Sequence, residues 1–141
     1  MLNALSFDIE DWFQVENLKS AISYNDWDKL ELRVVANTEK ILKILKDADT
    51  KATFFILGWV AERCPDLVKE IDKDGHEIAS HGFAHELIYN MTEKTFSELL
   101  RLWFARWKEF LKERTYSEDR KHWQYTHRRI RSAGCRPWRL P

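Results

Sequence analysis

The sequence predicts an α/β chain built on a parallel sheet. Three short apolar runs have strand composition, a helical periodicity follows each, and acids and histidines sit just past the ends of the first and third runs. In parallel α/β sheets the working residues gather at the carboxyl ends of the strands, so the same pattern that predicts the fold also predicts where a site would be.

The first strand is expected over Leu2–Asp8, a loosely alternating stretch that ends in the acids of Ser6-Phe7-Asp8-Ile9-Glu10-Asp11-Trp12. The next two dozen residues show little periodicity and are expected to form a long loop. From Val34 the apolar positions Val34, Val35, Thr38, Ile41, Leu42 and Leu45 recur as one helical face, and the polar residues 47–50 stop it.

Lys51-Ala52-Thr53-Phe54-Phe55-Ile56-Leu57-Gly58 is apolar, aromatic and closed by glycine, which predicts a central strand covered on both faces. Trp59, Val60, Leu67, Val68 and Ile71 then keep helical spacing. Pro65 breaks the run and starts a second helix, since proline suits a first helical turn and not an interior one. Asp74-Gly75 ends it. A third strand is predicted over His76–Ser80, followed by Thr92 as the N-cap of a helix through Leu99 and Leu100.

Composition sets bounds. The chain has 141 residues, enough for one domain with a real core and no disulfide framework. Cys64 precedes Pro65 in a helical pattern and is expected to pack as a small apolar group. No basic stretch followed by an apolar core and a cleavage site opens the sequence, and no run approaches the roughly 20 apolar residues that span a bilayer. The expectation is a soluble protein of the cytoplasm.

Two imidazoles four residues apart, His81 and His85, can grip one divalent cation. An isolated pair of this spacing arises often by chance, and a cluster of acids on a loop is usually a solvated surface. Their joint placement past two strand ends favours a site. One acid would complete a three-ligand centre with an open position, where a cation can lower the pKa of a water and polarise a carbonyl. A second acid would serve as general base. Asp8, Glu10 and Asp11 suffice for both roles, and the pattern points to a metal-dependent hydrolase.

Three motifs in order carry a family resemblance: Ser6-Phe7-Asp8-Ile9-Glu10-Asp11-Trp12-Phe13, then Lys51 through Arg63, then Gly75-His76-Glu77-Ile78-Ala79-Ser80-His81-Gly82 through His85. Together they resemble the N-terminal half of a polysaccharide deacetylase, the NodB-homology or carbohydrate esterase family 4 domain, in the branch found in exopolysaccharide loci. The resemblance implies a distorted (β/α) barrel, here partial and truncated. It also implies a divalent metal, zinc by expectation, held by Asp-His-His, and hydrolysis of amide bonds in N-acetylated polysaccharides or oligosaccharides. Carried over, His81 and His85 are metal ligands and Asp8 is the general base. The family's second aspartate directly follows the first, whereas Ile9 follows Asp8, leaving Asp11 or Glu10 as the carboxylate ligand, with Asp11 preferred. His76 is expected to be structural.

The resemblance covers residues 1–101, taken as the N-terminal part of the deacetylase domain. Residues 102–141 are expected to be a separate basic tail. Residues 1–101 hold 12 Lys+Arg against 19 Asp+Glu, net −7, and residues 102–141 hold 11 against 4, net +7. Trp103, Phe104, Trp107, Phe110 and Leu111 form an apolar stripe that predicts a helix to about residue 114. Beyond it the periodicity fails, the family's later motifs are missing, and the switch toward arginine suggests a tail that is disordered or translated out of frame. The expectation is a partial site that binds metal and turns over poorly. A different class, an inactive binding module whose basic aromatic tail contacts nucleic acid or a partner protein, is the alternative. Nucleic acid is not the expected partner.

Overall fold

Three parallel strands, β1 (Ser6–Ile9), β2 (Thr53–Ile56) and β3 (Glu77–Ser80), lie side by side in that order. The structure, a computed structural model, describes residues 4–110. Each strand is followed by helix: α1 (Val34–Asp47) after β1, α2 (Gly58–Arg63) and α3 (Pro65–Lys73) after β2, and α4 (Glu93–Phe110) after β3. The predicted α/β order of elements is the observed one. Nothing further of the expected tail is described beyond its residues 102–110, which continue α4 without a break.

Register assigns each strand residue to a face. Phe7, Phe54 and Ile78 pair in one row and Ile9, Ile56 and Ser80 in another. These rows turn toward the apolar core, in which Ile9, Phe54 and Ile56 are buried with Leu42, Leu45, Val68 and Ile71 from the helices. The opposite rows are Ser6, Thr53, Glu77 and Asp8, Phe55, Ala79, in which Ser6 and Asp8 are exposed and the rest half-buried. β2 is therefore covered fully on one face only, where the sequence led us to expect both. Alternate side chains point to opposite faces, and the helices pack on the Phe54 and Ile56 side.

Helix boundaries follow local chemistry. Pro65 is the first residue of α3, and the chain breaks at Cys64, whose backbone is non-helical. Thr92 caps α4: its hydroxyl accepts from the Thr95 N–H at 3.2 Å. Trp103 is buried on the predicted stripe, whose other side chains lie outside the described residues. No helix among the described residues is long and apolar enough to cross a membrane.

The segment between β1 and α1 is more ordered than its lack of periodicity suggested. It contains 3-10 turns at Glu16–Leu18 and Tyr24–Lys29. Phe13 and Trp27 are buried against Trp59 of α2, with ring centroids 5.5–5.8 Å apart in all three pairings. The two pairings with Trp59 are edge-to-face, a contact that adds about 0.5–1.5 kcal/mol beyond the area it buries. The Arg63 guanidinium lies 3.8 Å over the Trp59 ring and pairs with Asp28, which ties the turn at 24–29 to α2 a second time.

Candidate metal centre

Glu10 lies one residue past β1, and His81 begins the loop after β3. The ladder continues just beyond the strand ends: the Leu57 N–H donates to the Ile9 carbonyl at 3.3 Å and the His81 N–H to the Ile56 carbonyl at 3.1 Å. Residues from the two outer strands are thereby brought above the end of β2.

The loop 81–85 is not helical. It reverses direction through two left-handed residues, Gly82 (φ 76°) and His85 (φ 56°). Its carbonyls dock on the start of α2, with the Gly58 N–H donating to Gly82 O at 2.9 Å and the Trp59 N–H to Phe83 O at 3.0 Å. Gly58 is required here because a Cβ would stand 2.4 Å from the Phe83 ring. The outcome is the convergence that helical spacing would also have produced: the two imidazoles stand perpendicular with centroids 5.0 Å apart.

The carboxylate that meets them is that of Glu10. Its Oε2 is 3.1 Å from His85 Nε2 and 3.8 Å from His81 Nε2, and one donor atom from each of the three residues fits within 4.8 Å of the others. Glu10 Oε2 and His81 Nε2 are buried with no hydrogen-bond partner among the described residues. Leaving such atoms unpaired costs about 1–3 kcal/mol apiece, so the arrangement fits a cation that all three donors can share. Two imidazole nitrogens and one carboxylate oxygen form a donor set suited to zinc and leave coordination positions open.

Asp11, the preferred carboxylate ligand from sequence, is turned elsewhere. It is buried, with Oδ1 accepting from the Trp12 N–H at 2.9 Å and Oδ2 from the N–H groups of Arg33 at 2.6 Å and Val34 at 2.9 Å. Those last two are orphan donors at the start of α1, where a carboxylate also complements the helix dipole. The Gln14 side-chain oxygen in turn accepts from the Asp11 N–H at 2.7 Å. Asp11 thus secures the turn that carries Glu10. Its capping partners lie far along the chain, so no local motif could have revealed them.

Asp8 is exposed on β1 and lines, with Glu10, Asp11, Trp12, Arg33 and Asn37, a cleft of about 260 Å³ beside the strand end. It stays outside the Glu10, His81, His85 group. His76 is buried away from the centre, its Nδ1 accepting from the Ala52 N–H at 3.3 Å and its ring 5.0 Å from Phe54. Burial, helped by the Lys51 charge, lowers its pKa. Cys64 is half-buried, and burial followed by the charge of Asp11 raises its thiol pKa.

The sequence matches the polysaccharide deacetylase family over residues 16–139. A peptidoglycan-N-acetylglucosamine deacetylase of Bacillus cereus is 40% identical over 73 residues, which make up 52% of this chain and 25% of that protein. Among solved structures, the Bc1960 peptidoglycan N-acetylglucosamine deacetylase superposes with a TM-score of 0.56 at 28% identity, covering 76% of this chain and 40% of that one. The Puue allantoinase does so with a TM-score of 0.51 at 31% identity, covering 55% and 26%. The chain spans about a quarter to a third of the first curated relatives it matches.

Proposed function

The chain belongs to the polysaccharide deacetylase family, and from that premise we propose that it is the part of a metal-dependent N-deacetylase that holds the cation, acting on acetamido groups of N-acetylated amino-sugar polymers such as peptidoglycan. The fold is correspondingly a piece of the barrel of that family's solved members. One observation carries the reading: Glu10, His81 and His85 converge at the carboxyl ends of β1 and β3, with Glu10 Oε2 and His81 Nε2 buried and without a hydrogen-bond partner among the described residues.

In this reading Glu10, His81 and His85 hold the ion, zinc by the nature of the donors. A bound divalent cation supplies Lewis acidity, lowering the pKa of a water and polarising the acetamido carbonyl. Asp8 accepts the proton of the attacking water at its carboxylate, a role suited to a solvent-facing acid that shares a cleft with Glu10. Asp11 accepts from backbone N–H groups and fixes the backbone on which Glu10 stands.

The test is the zinc content of the purified chain with and without His81→Ala and Glu10→Ala, followed by acetate release from N-acetylglucosamine oligomers. Zinc bound by the parent and lost from both variants, with acetate released, supports the proposal; a parent chain that binds no zinc sinks it. The likeness to the allantoinase favours a second reading, a small amide in place of a polymer. Turnover of a small amide without acetate release from oligomers would select it.

A further inference from the structure

Two side chains of one short turn approach His85, one at its carbonyl and one at its ring. The 3-10 turn Glu16–Leu18 follows the Phe13 anchor, and Lys19 closes it, its N–H donating to Glu16 O at 3.2 Å. The Lys19 ammonium donates to the His85 carbonyl at 2.5 Å. The same ammonium pairs with the Glu16 carboxylate at 2.5 Å, and that carboxylate lies 3.8 Å from His85 Nδ1. The opposite ring nitrogen, Nε2, faces Glu10.

Two features say that this arrangement positions the ring and does not merely decorate the surface. Lys19 and Glu16 are 34% and 41% exposed, and an ion pair that open to water adds little stability of its own. His85, by contrast, is a non-glycine residue at φ 56°, a conformation that persists only where its surroundings impose it. The Lys19 ammonium donates to the carbonyl of this strained residue. Metal-bound histidines characteristically give their second ring nitrogen to a carboxylate, which fixes tautomer and orientation and makes the first nitrogen a better donor. Glu16 stands on that side of the ring, its carboxylate 3.8 Å from Nδ1, longer than a hydrogen bond but close enough for a small side-chain shift to make one.

We propose that Glu16 and Lys19 are positioning residues for the metal ligand His85, Glu16 orienting the imidazole through Nδ1 and Lys19 locking the left-handed backbone through the carbonyl. This rests on the reading of Glu10, His81 and His85 as the cation's ligands. Neither Glu16 nor Lys19 touches the ion.

The experiment uses the full chain, zinc affinity by competition with a chromophoric chelator, and the visible spectrum of the cobalt(II) form. Glu16→Ala is expected to weaken zinc about 10- to 100-fold, the range for an outer-shell partner, and Lys19→Met about 10-fold. Both should shift the cobalt bands, and Lys19→Arg should restore affinity to within about threefold because it keeps the donor. Circular dichroism matching the parent separates these losses from unfolding, and Glu16→Gln, which keeps size and polarity, repeats the test if Glu16→Ala fails to fold. Parent-like affinity and spectrum in Glu16→Ala and Lys19→Met, with zinc lost in His81→Ala, would overturn the positioning role alone. Zinc retained in His81→Ala would overturn the metal reading beneath it.

Discussion

Glu10 and His85 meet at 3.1 Å although they leave the sheet from its two outer strands, with β2 between them. Neighbouring Asp11 serves the backbone instead, and the two acids should fail differently. Glu10→Ala is expected to weaken zinc by more than the roughly 10–100-fold of an outer-shell loss while leaving the urea midpoint of the metal-free chain nearly unchanged. Asp11→Ala should destabilise the metal-free chain by about 2–4 kcal/mol, since three backbone donors lose a charged acceptor. Chelator competition and urea denaturation of both variants check the contrast.

Asp8 should affect turnover and not metal binding. Asp8→Asn keeps the side chain's shape but cannot accept a proton at neutral pH, and general-base losses run to about 10²–10⁴ in rate. The expected outcome is a fall in kcat of that order for acetate release, with zinc affinity within a few-fold of the parent. Equal loss of both would place Asp8 among the ligands.

Gly58→Ala puts a methyl group into the Phe83 ring and against the Phe83 backbone, with contacts of 2.4 and 3.2 Å. Relief requires the 81–85 loop to lift from α2. A destabilisation of about 1–3 kcal/mol is expected from overpacking, together with weaker zinc binding, although residue 58 is no ligand. Unchanged zinc affinity in a folded variant would show that the loop does not depend on this docking.

His76 makes stability depend on pH. Burial and the nearby Lys51 lower its folded-state pKa below 6.5, and Asp74 opposes them only in part. Below the unfolded-state value the unfolded chain therefore binds the proton more readily than the folded one. Its contribution is complete above about 6.5 and declines as pH falls from there toward the folded-state value. His76→Asn retains an acceptor for the Ala52 N–H but does not titrate. The parent should lose more stability than the variant when urea midpoints are compared above and below pH 6.5.

Periodicity revealed the elements that repeat. Strand composition and the helical faces after Val34 and Pro65 were legible because each depends on its own few residues. The loop 81–85 was legible as a histidine pair, but not as the double left-handed turn that brings the rings together. Glu10 and Asp11 stood side by side, and the sequence favoured Asp11. Choosing between them needed the Arg33 and Val34 amides, which only the packing of α1 brings to Asp11. The segment after β1 showed no period, yet Phe13 and Trp27 are buried there, and two such aromatics in an aperiodic stretch were the available signal that it packs.

The strand order also fixes when the metal donors can meet. Pairing β1 with β2 delivers Glu10 and pairing β3 with β2 delivers the histidines, so neither strand–helix–strand half of the sheet contains the centre. Parallel pairings close long loops, and contacts that need both of them form late in folding. A cation gripped by all three donors would then act on the folded chain after its rate-limiting step. It would slow unfolding while leaving the rate of folding almost untouched.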